Sequence, residues 1–249
     1  LICTKCGKNQ AEVLISGKYL CVHCARSEIV KRFRKELSLS KFLDREDRVV
    51  ILTTENFMDV SSLIEKLIYN ICKSCKLDVL IDKINEEEDI NKTLWKIMIK
   101  IGEIYFKKII LPFTADFFLS YLIYSISTGY MGYLELYSLV VEVYSKKIFV
   151  PFYSTPRFEL LGFSEITGEL KTKDAFLNEI IKWASKQFAD NEIYHTFGSS
   201  INVIKLENRK RCKICNAIIE RGDCCKYCLE SFSHLCSEQS QKQELEERV

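Results

Sequence analysis

The chain has 249 residues, 47% of them hydrophobic, with nine glycines, three prolines and a formal net charge of +2 at pH 7. This is enough apolar material for one sizeable domain with small appendages. The near-balanced charge argues against indiscriminate polyanion binding, and so few loop-forming residues exclude a small disulfide-stapled secreted domain.

In chain order the first feature is a pair of cysteine turns, Cys3-x2-Cys6 and, fourteen residues later, Cys21-x2-Cys24. Each CxxC turn points two thiolates at one ion, and two turns complete a tetrahedron with no open position, which reads as structural zinc. Gly7 suits the tight turn after Cys6. His23 lies between ligands but is not needed as one. Residues 1–50 carry eleven Lys and Arg against six Asp and Glu, with Lys31, Arg32, Arg34 and Lys35 in one run. Such a run beside a zinc module favours a phosphate backbone, although a solvated helix face has the same composition.

The middle of the chain is net acidic and alternates strand-like with helix-like segments. Val49 to Thr53 is a β-branched run, after which Val60, Leu63, Ile64, Leu67, Ile68, Ile71, Cys72 and Cys75 recur at helical spacing. Leu77 to Asp82 reads as a second strand, Leu94, Ile97, Met98 and Ile101 as a helix face, and Ile109 to Phe113 as a third strand. Phe117 to Leu134 carries no charge. Its serines, threonine and glycine favour a buried helix running into a turn over a membrane span. With neither a span nor a secretory leader read at its start, the chain is expected in the cytoplasm. A helix is expected from Tyr133 to Tyr144, a strand from Ile148 to Phe152 and a helix from Phe176 to Phe188. His195 falls in a loop before the strand-like Ile201 to Leu206. Short apolar strands separated by helices imply a parallel sheet covered on both faces.

The second cysteine set is Cys212-x2-Cys215 and, after nine residues, Cys225-x2-Cys228, again read as zinc. Cys224, Cys236 and His234 lie close enough in sequence to exchange with a ligand. Arg209, Lys210 and Arg211 form a second basic run, and residues 205–236 hold seven basic against four acidic side chains. The expected organisation is a zinc module over 1–27, an α/β domain over 28–206, a second zinc module over 207–236 and a polar tail over 237–249.

In such a sheet the first strand-to-helix turn does the phosphate work. Here that turn is Thr53 to Asp59, and it has no glycine. Phe57 and Met58 obstruct the approach of backbone N–H groups to an anion, and Glu55 opposes its charge. A decayed nucleotide site is the reading.

A four-cysteine module, a basic helix, an α/β domain and a second four-cysteine module, in this order, resemble the cytosolic tRNA 2-thiolation proteins of the PP-loop ATPase superfamily. The resemblance covers essentially the whole chain and is strongest at the eight cysteines. It implies an adenine nucleotide alpha hydrolase-like domain between two zinc ribbons. Active members carry a glycine-rich SGGxDS-type turn and core cysteines for an iron-sulfur cluster or sulfur transfer. This chain lacks the turn, and from Lys76 to Arg211 it has no cysteine. The pattern is similar to the non-catalytic tRNA 2-thiolation protein 2 type.

The resemblance therefore implies a pseudoenzyme subunit that binds tRNA through Lys31, Arg32, Arg34, Lys35, Arg209, Lys210 and Arg211. It implies a catalytic thiolase paralogue as partner and a possible homodimer in isolation. The cofactors expected are two structural zinc ions, with neither ATP nor an iron-sulfur cluster. Cys72 and Cys75 share the apolar stripe of their helix and read as buried core thiols. Two alternatives stay open: an active, diverged thiolase built on Cys72 and Cys75, and a stand-alone zinc-ribbon RNA-binding or adaptor protein.

Overall fold

A computed structural model describes residues 1–73, 76–166, 169–188, 193, 194, 196, 197 and 209–236. The hairpin β1 (Val13–Ile15) and β2 (Lys18–Leu20) leads into α1 (Val22–Ser40). Then follow β3 (Arg48–Thr53), α2 (Met58–Ile71), β4 (Asp78–Lys83), α3 (Ile90–Glu103), β5 (Lys108–Ile110) and α4 (Ala115–Thr128). The hairpin β6 (Val140–Val143) and β7 (Lys146–Phe149) comes next, then α5 (Ala175–Gln187) and α6 (Lys226–Ser231).

The main sheet has the order β4-β3-β5-β7-β6, with β4, β3, β5 and β7 parallel and β6 antiparallel at one edge. β3 is an interior strand, and Val49, Val50, Ile51, Leu52 and Thr53 are all buried, as a strand covered on both faces requires. The expected helix faces hold: Val60, Leu63, Ile64, Leu67 and Ile68 of α2, and Leu94, Ile97, Met98 and Ile101 of α3, are buried. The uncharged stretch from Phe117 lies largely in the buried α4, and among the described residues no helix is long and apolar enough to cross a membrane.

Two expectations fail. The helix expected from Tyr133 to Tyr144 is a single 3-10 turn, Leu134–Leu136, followed by strand β6. Its hairpin closes through Tyr144 and Ser145, both at positive φ (54° and 57°), with Val143 opposite Lys146. A two-residue turn of that hand matches strand twist, but it is ordinarily written Asn-Gly or Asp-Gly. The second concerns Cys72. Helix α2 ends at Ile71, so Cys72 leaves the apolar stripe, is half-buried and is disulfide-bonded. Cys75, like His195, the 201–206 segment and the tail, lies outside the described residues.

β3 to β4 and β4 to β5 cross the sheet in opposite directions, so right-handed crossovers set α2 and α3 on opposite faces. Adjacent lysines on β7 report the same division. Lys146 Nζ donates to the carbonyls of Ile101, Gly102 and Ile104 at the end of α3, whereas Lys147 Nζ donates to those of Ser40 and Lys41 at the end of α1. Neighbouring strand residues point to opposite faces, so α1 and α3 do not share one.

Candidate functional site: two four-thiolate groups and the first strand-to-helix turn

Each cysteine set converges. In both groups every Sγ lies within 4.8 Å of the others, and of the eight cysteines only Cys6 is half-buried rather than buried. Cys6 Sγ to Cys21 Sγ is 3.9 Å, and Cys215 Sγ to Cys225 Sγ is 3.5 Å. Metal–sulfur bonds near 2.3 Å put tetrahedron edges at about 3.8 Å, so the thiolates fit a metal between them.

The two modules are built alike. Gly7 N–H donates to Cys3 C=O, and Asn216 N–H donates to Cys212 C=O, each at 2.9 Å. Gly7 (φ 64°) and Asn216 (φ 61°) hold the left-handed position after the second cysteine of each first CxxC turn. Asn is the usual substitute for glycine there. The second CxxC opens a helix in both modules: Cys21 precedes α1 and Cys225 precedes α6. Burial, then the Cys21 and Cys3 thiols, push the Cys24 thiol up to about 12. Four packed thiols resist joint ionisation unless a cation takes their charge.

Cys224 and Cys236 are joined to each other by a disulfide, leaving Cys212, Cys215, Cys225 and Cys228 as the converging set. His23 and His234 are exposed and belong to neither group.

The C-terminal module is embedded in the α/β domain. Trp95 Nε1 on α3 donates to Cys228 Sγ at 3.2 Å, and Tyr133 Oη lies 3.6 Å from Cys215 Sγ. Ile218 N–H donates to Gly132 C=O, Tyr144 O–H donates to Ile214 C=O, and Arg211 pairs with Glu135. Sequence reading missed Trp95 and Tyr133. The only signal was an indole on an apolar helix face, where a buried N–H needs an acceptor.

The expected cations divide by role. Arg32 is spent internally, pairing with the buried Glu159 and donating to Thr155 Oγ1 at 2.9 Å. Lys210 faces Asp223 at 3.1 Å, and Arg211 is committed to Glu135. Lys31, Arg34, Lys35 and Arg209 are exposed. The first three sit on α1 and Arg209 on the module carried by α3, so the two basic runs belong to opposite faces of the sheet.

The order of strands changes direction between β3 and β5, which makes their carboxyl ends the place where such folds bind ligands. Side chains fill it. Phe57 is 1% exposed, its ring 5.0 Å from that of Phe113 and 5.3 Å from that of Phe117. Thr54 and Asn56 donate to Glu86, and Ser61 O–H donates to Thr53 Oγ1. Asp59 accepts the first-turn N–H of Val60 at 2.7 Å and pairs with the Arg157 guanidinium, while Arg157 N–H donates to Asp116 Oδ1. Four carboxylates, Glu55, Asp59, Glu86 and Asp116, thus stand at or beside the turn. An unpaired carboxylate would oppose a phosphate 4 Å away by on the order of 4 kcal/mol at an effective dielectric near 20, an opposition that Lys83 reduces at Glu55 and Arg157 at Asp59.

Cys72 follows the last residue of α2, whose first turn lies at this crevice. Fourteen residues at 1.5 Å each put it about 20 Å away, toward the opposite end of the sheet.

No protein-family model matches the sequence, and no curated protein matches it. Among solved structures the fold is similar to that of the U34-tRNA thiolase NcsA from Methanococcus maripaludis with its 4Fe-4S cluster. The TM-score is 0.59 at 14% identity, over 93% of this chain and 96% of that one. The likeness bears out the α/β fold expected between two four-cysteine modules. It also corrects the cofactor expectation. A thiolase of this fold carries an iron-sulfur cluster, and four thiolates are a ligand set for such clusters as well as for zinc, so setting iron-sulfur aside was wrong.

Proposed function

We propose that the chain is a non-catalytic subunit of a tRNA wobble-uridine 2-thiolation complex, working in the cytoplasm. It would bind tRNA and a catalytic paralogue. The observation that carries this reading is the closed turn after β3. At the point where a nucleotide-binding α/β sheet offers free backbone N–H groups, this chain presents Phe57, an Asp59–Arg157 ion pair and three further carboxylates. The likeness to a U34-tRNA thiolase along nearly its whole length supports the reaction class. Each four-cysteine group would hold a thiolate-bound metal centre that fixes its module, and iron and zinc analysis of the purified chain identifies the metal. The partner supplies the activation and sulfur-transfer chemistry.

A diverged active site on Cys72 is disfavoured by its distance from the crevice. Reconstitution tests the proposal. The isolated chain with ATP, a sulfur donor and a tRNA transcript bearing uridine 34 is expected to leave the tRNA unmodified. Adding a paralogue with an intact glycine-rich turn is expected to produce thiolated tRNA, read by its retardation on a mercury-containing gel. Thiolation by the isolated chain, or thiolation by the paralogue that is indifferent to it, would overturn the proposal.

A further inference from the structure

We infer that the cleft between the C-terminal module and the end of α4 is a phosphodiester site for single-stranded RNA. This inference rests on the tRNA reading above and assigns it a surface. The cleft encloses about 290 Å³, and Tyr130, Arg209, Glu220, Arg221, Cys224 and Lys226 are among its walls. That volume is near the lower end for small-ligand pockets, and it suits a nucleotide of a flexible strand better than a duplex.

Three cations and one carboxylate, Glu220, line the cleft, and a second carboxylate, Asp89, lies behind Lys226 at 3.8 Å. The carboxyl end of α4 adds a partial negative charge of about one half, and a divalent ion on four thiolates behind Cys225 would add two more, so the attraction for an anion is local to the guanidinium groups of Arg209 and Arg221. Among the described residues neither Arg209 nor Arg221 has a carboxylate partner. Neighbouring Lys210 and Lys213 do, at Asp223. Lys226 is held in place: its ammonium lies 3.8 Å from Asp89 Oδ2, 5.4 Å from the ring centre of Tyr130 and 4.6 Å from that of Tyr227. Less side-chain freedom is therefore lost when an anion arrives. Arginine presents a planar fork that matches two phosphate oxygens. The wall is fixed by the Cys224–Cys236 disulfide and by Cys225 of the thiolate group. Lys31, Arg34 and Lys35, by contrast, ride on the outside of α1 and line neither this cleft nor the one beside the N-terminal module. A concave, low-dielectric wall focuses a field that an open helix face does not.

The test is anisotropy of a fluorescein-labelled ten-uridine oligoribonucleotide, titrated with the intact protein from about 50 to 200 mM KCl, the range over which phosphate contacts are resolved. Substituting Arg209→Ala, Arg221→Ala and Lys226→Ala together is expected to flatten the log K against log[KCl] slope by about 2, at roughly 0.7 per single-strand contact. The triple Arg209→Lys, Arg221→Lys, Lys226→Arg is expected to restore it, which separates charge from folding. Lys31→Ala, Arg34→Ala and Lys35→Ala together should leave the slope in place. An unchanged slope in the cleft variant, or a loss confined to the α1 variant, overturns the inference while leaving the thiolation reading intact. Cleft-dependent binding of the oligouridine without thiolation support in the reconstitution sinks the thiolation reading and leaves the cleft standing.

Discussion

Asp59 and Arg157 show how a missing glycine turns into a closed site. The absence of glycine between Thr53 and Asp59 is legible in the sequence. What replaces the phosphate is not, because Arg157 lies ninety-eight residues further on. Asp59 retains 15% and Arg157 6% of its side-chain exposure, so each charge depends on the other. Removing one partner of a buried pair leaves an uncompensated charge, costing about 3–5 kcal/mol, whereas removing both costs much less. Arg157→Met is therefore expected to lower the urea midpoint strongly, and adding Asp59→Asn to recover most of the loss. Equal destabilisation in the single and double variants would show that the side chains act through packing instead.

At the scale of elements, helices and central strands were readable because burial imposes a period: α2 and α3 follow the expected stripes, and β3 is apolar throughout. The β6–β7 hairpin was not, because its turn residues carry no turn signature. Ser145 holds φ 57° without being glycine. A left-handed position costs an L-residue roughly 1–2 kcal/mol, part of which glycine returns as unfolded-state entropy. Ser145→Gly should thus stabilise the protein by about 0.5–1 kcal/mol, read as a rise in Tm. Tyr144 has the same backbone hand but also donates to Ile214 C=O at 2.7 Å, so Tyr144→Gly should be neutral or destabilising. The lysines of β7 are likewise invisible as caps in the sequence, where Lys146-Lys147 looks like a solvated pair. Lys146→Met removes a cation from three carbonyls at the end of α3. It should cost about 1–2 kcal/mol and speed amide exchange in that last turn more than in α1. Lys147→Met should show the reverse pattern.

For the whole molecule, eight cysteines gave away both modules, and spacing alone paired them correctly into groups. How the modules attach follows from tertiary contacts that no local pattern announces. The N-terminal module is continuous with α1, and Arg32–Glu159 ties that helix to the segment after β7. The C-terminal module sits on the other face, where Trp95 and Tyr133 reach its sulfurs. Metal removal should therefore be felt through the core rather than at the ends alone. The chain has two tryptophans; Trp95 is 8% exposed, and Trp183 is 49% exposed. If thiolate-bound metal holds the C-terminal module against α3, a strong chelator at neutral pH should expose Trp95 and shift tryptophan emission to longer wavelength. Trp183, already wet, would contribute little. Cys228→Ser should reproduce the shift without chelator, because it removes both a ligand and the acceptor of the indole N–H. Cys3→Ser, on the opposite face, should release metal while leaving the emission of Trp95 in place. A red shift from Cys3→Ser equal to that from Cys228→Ser would mean that the two modules unfold as one cooperative unit through the sheet between them.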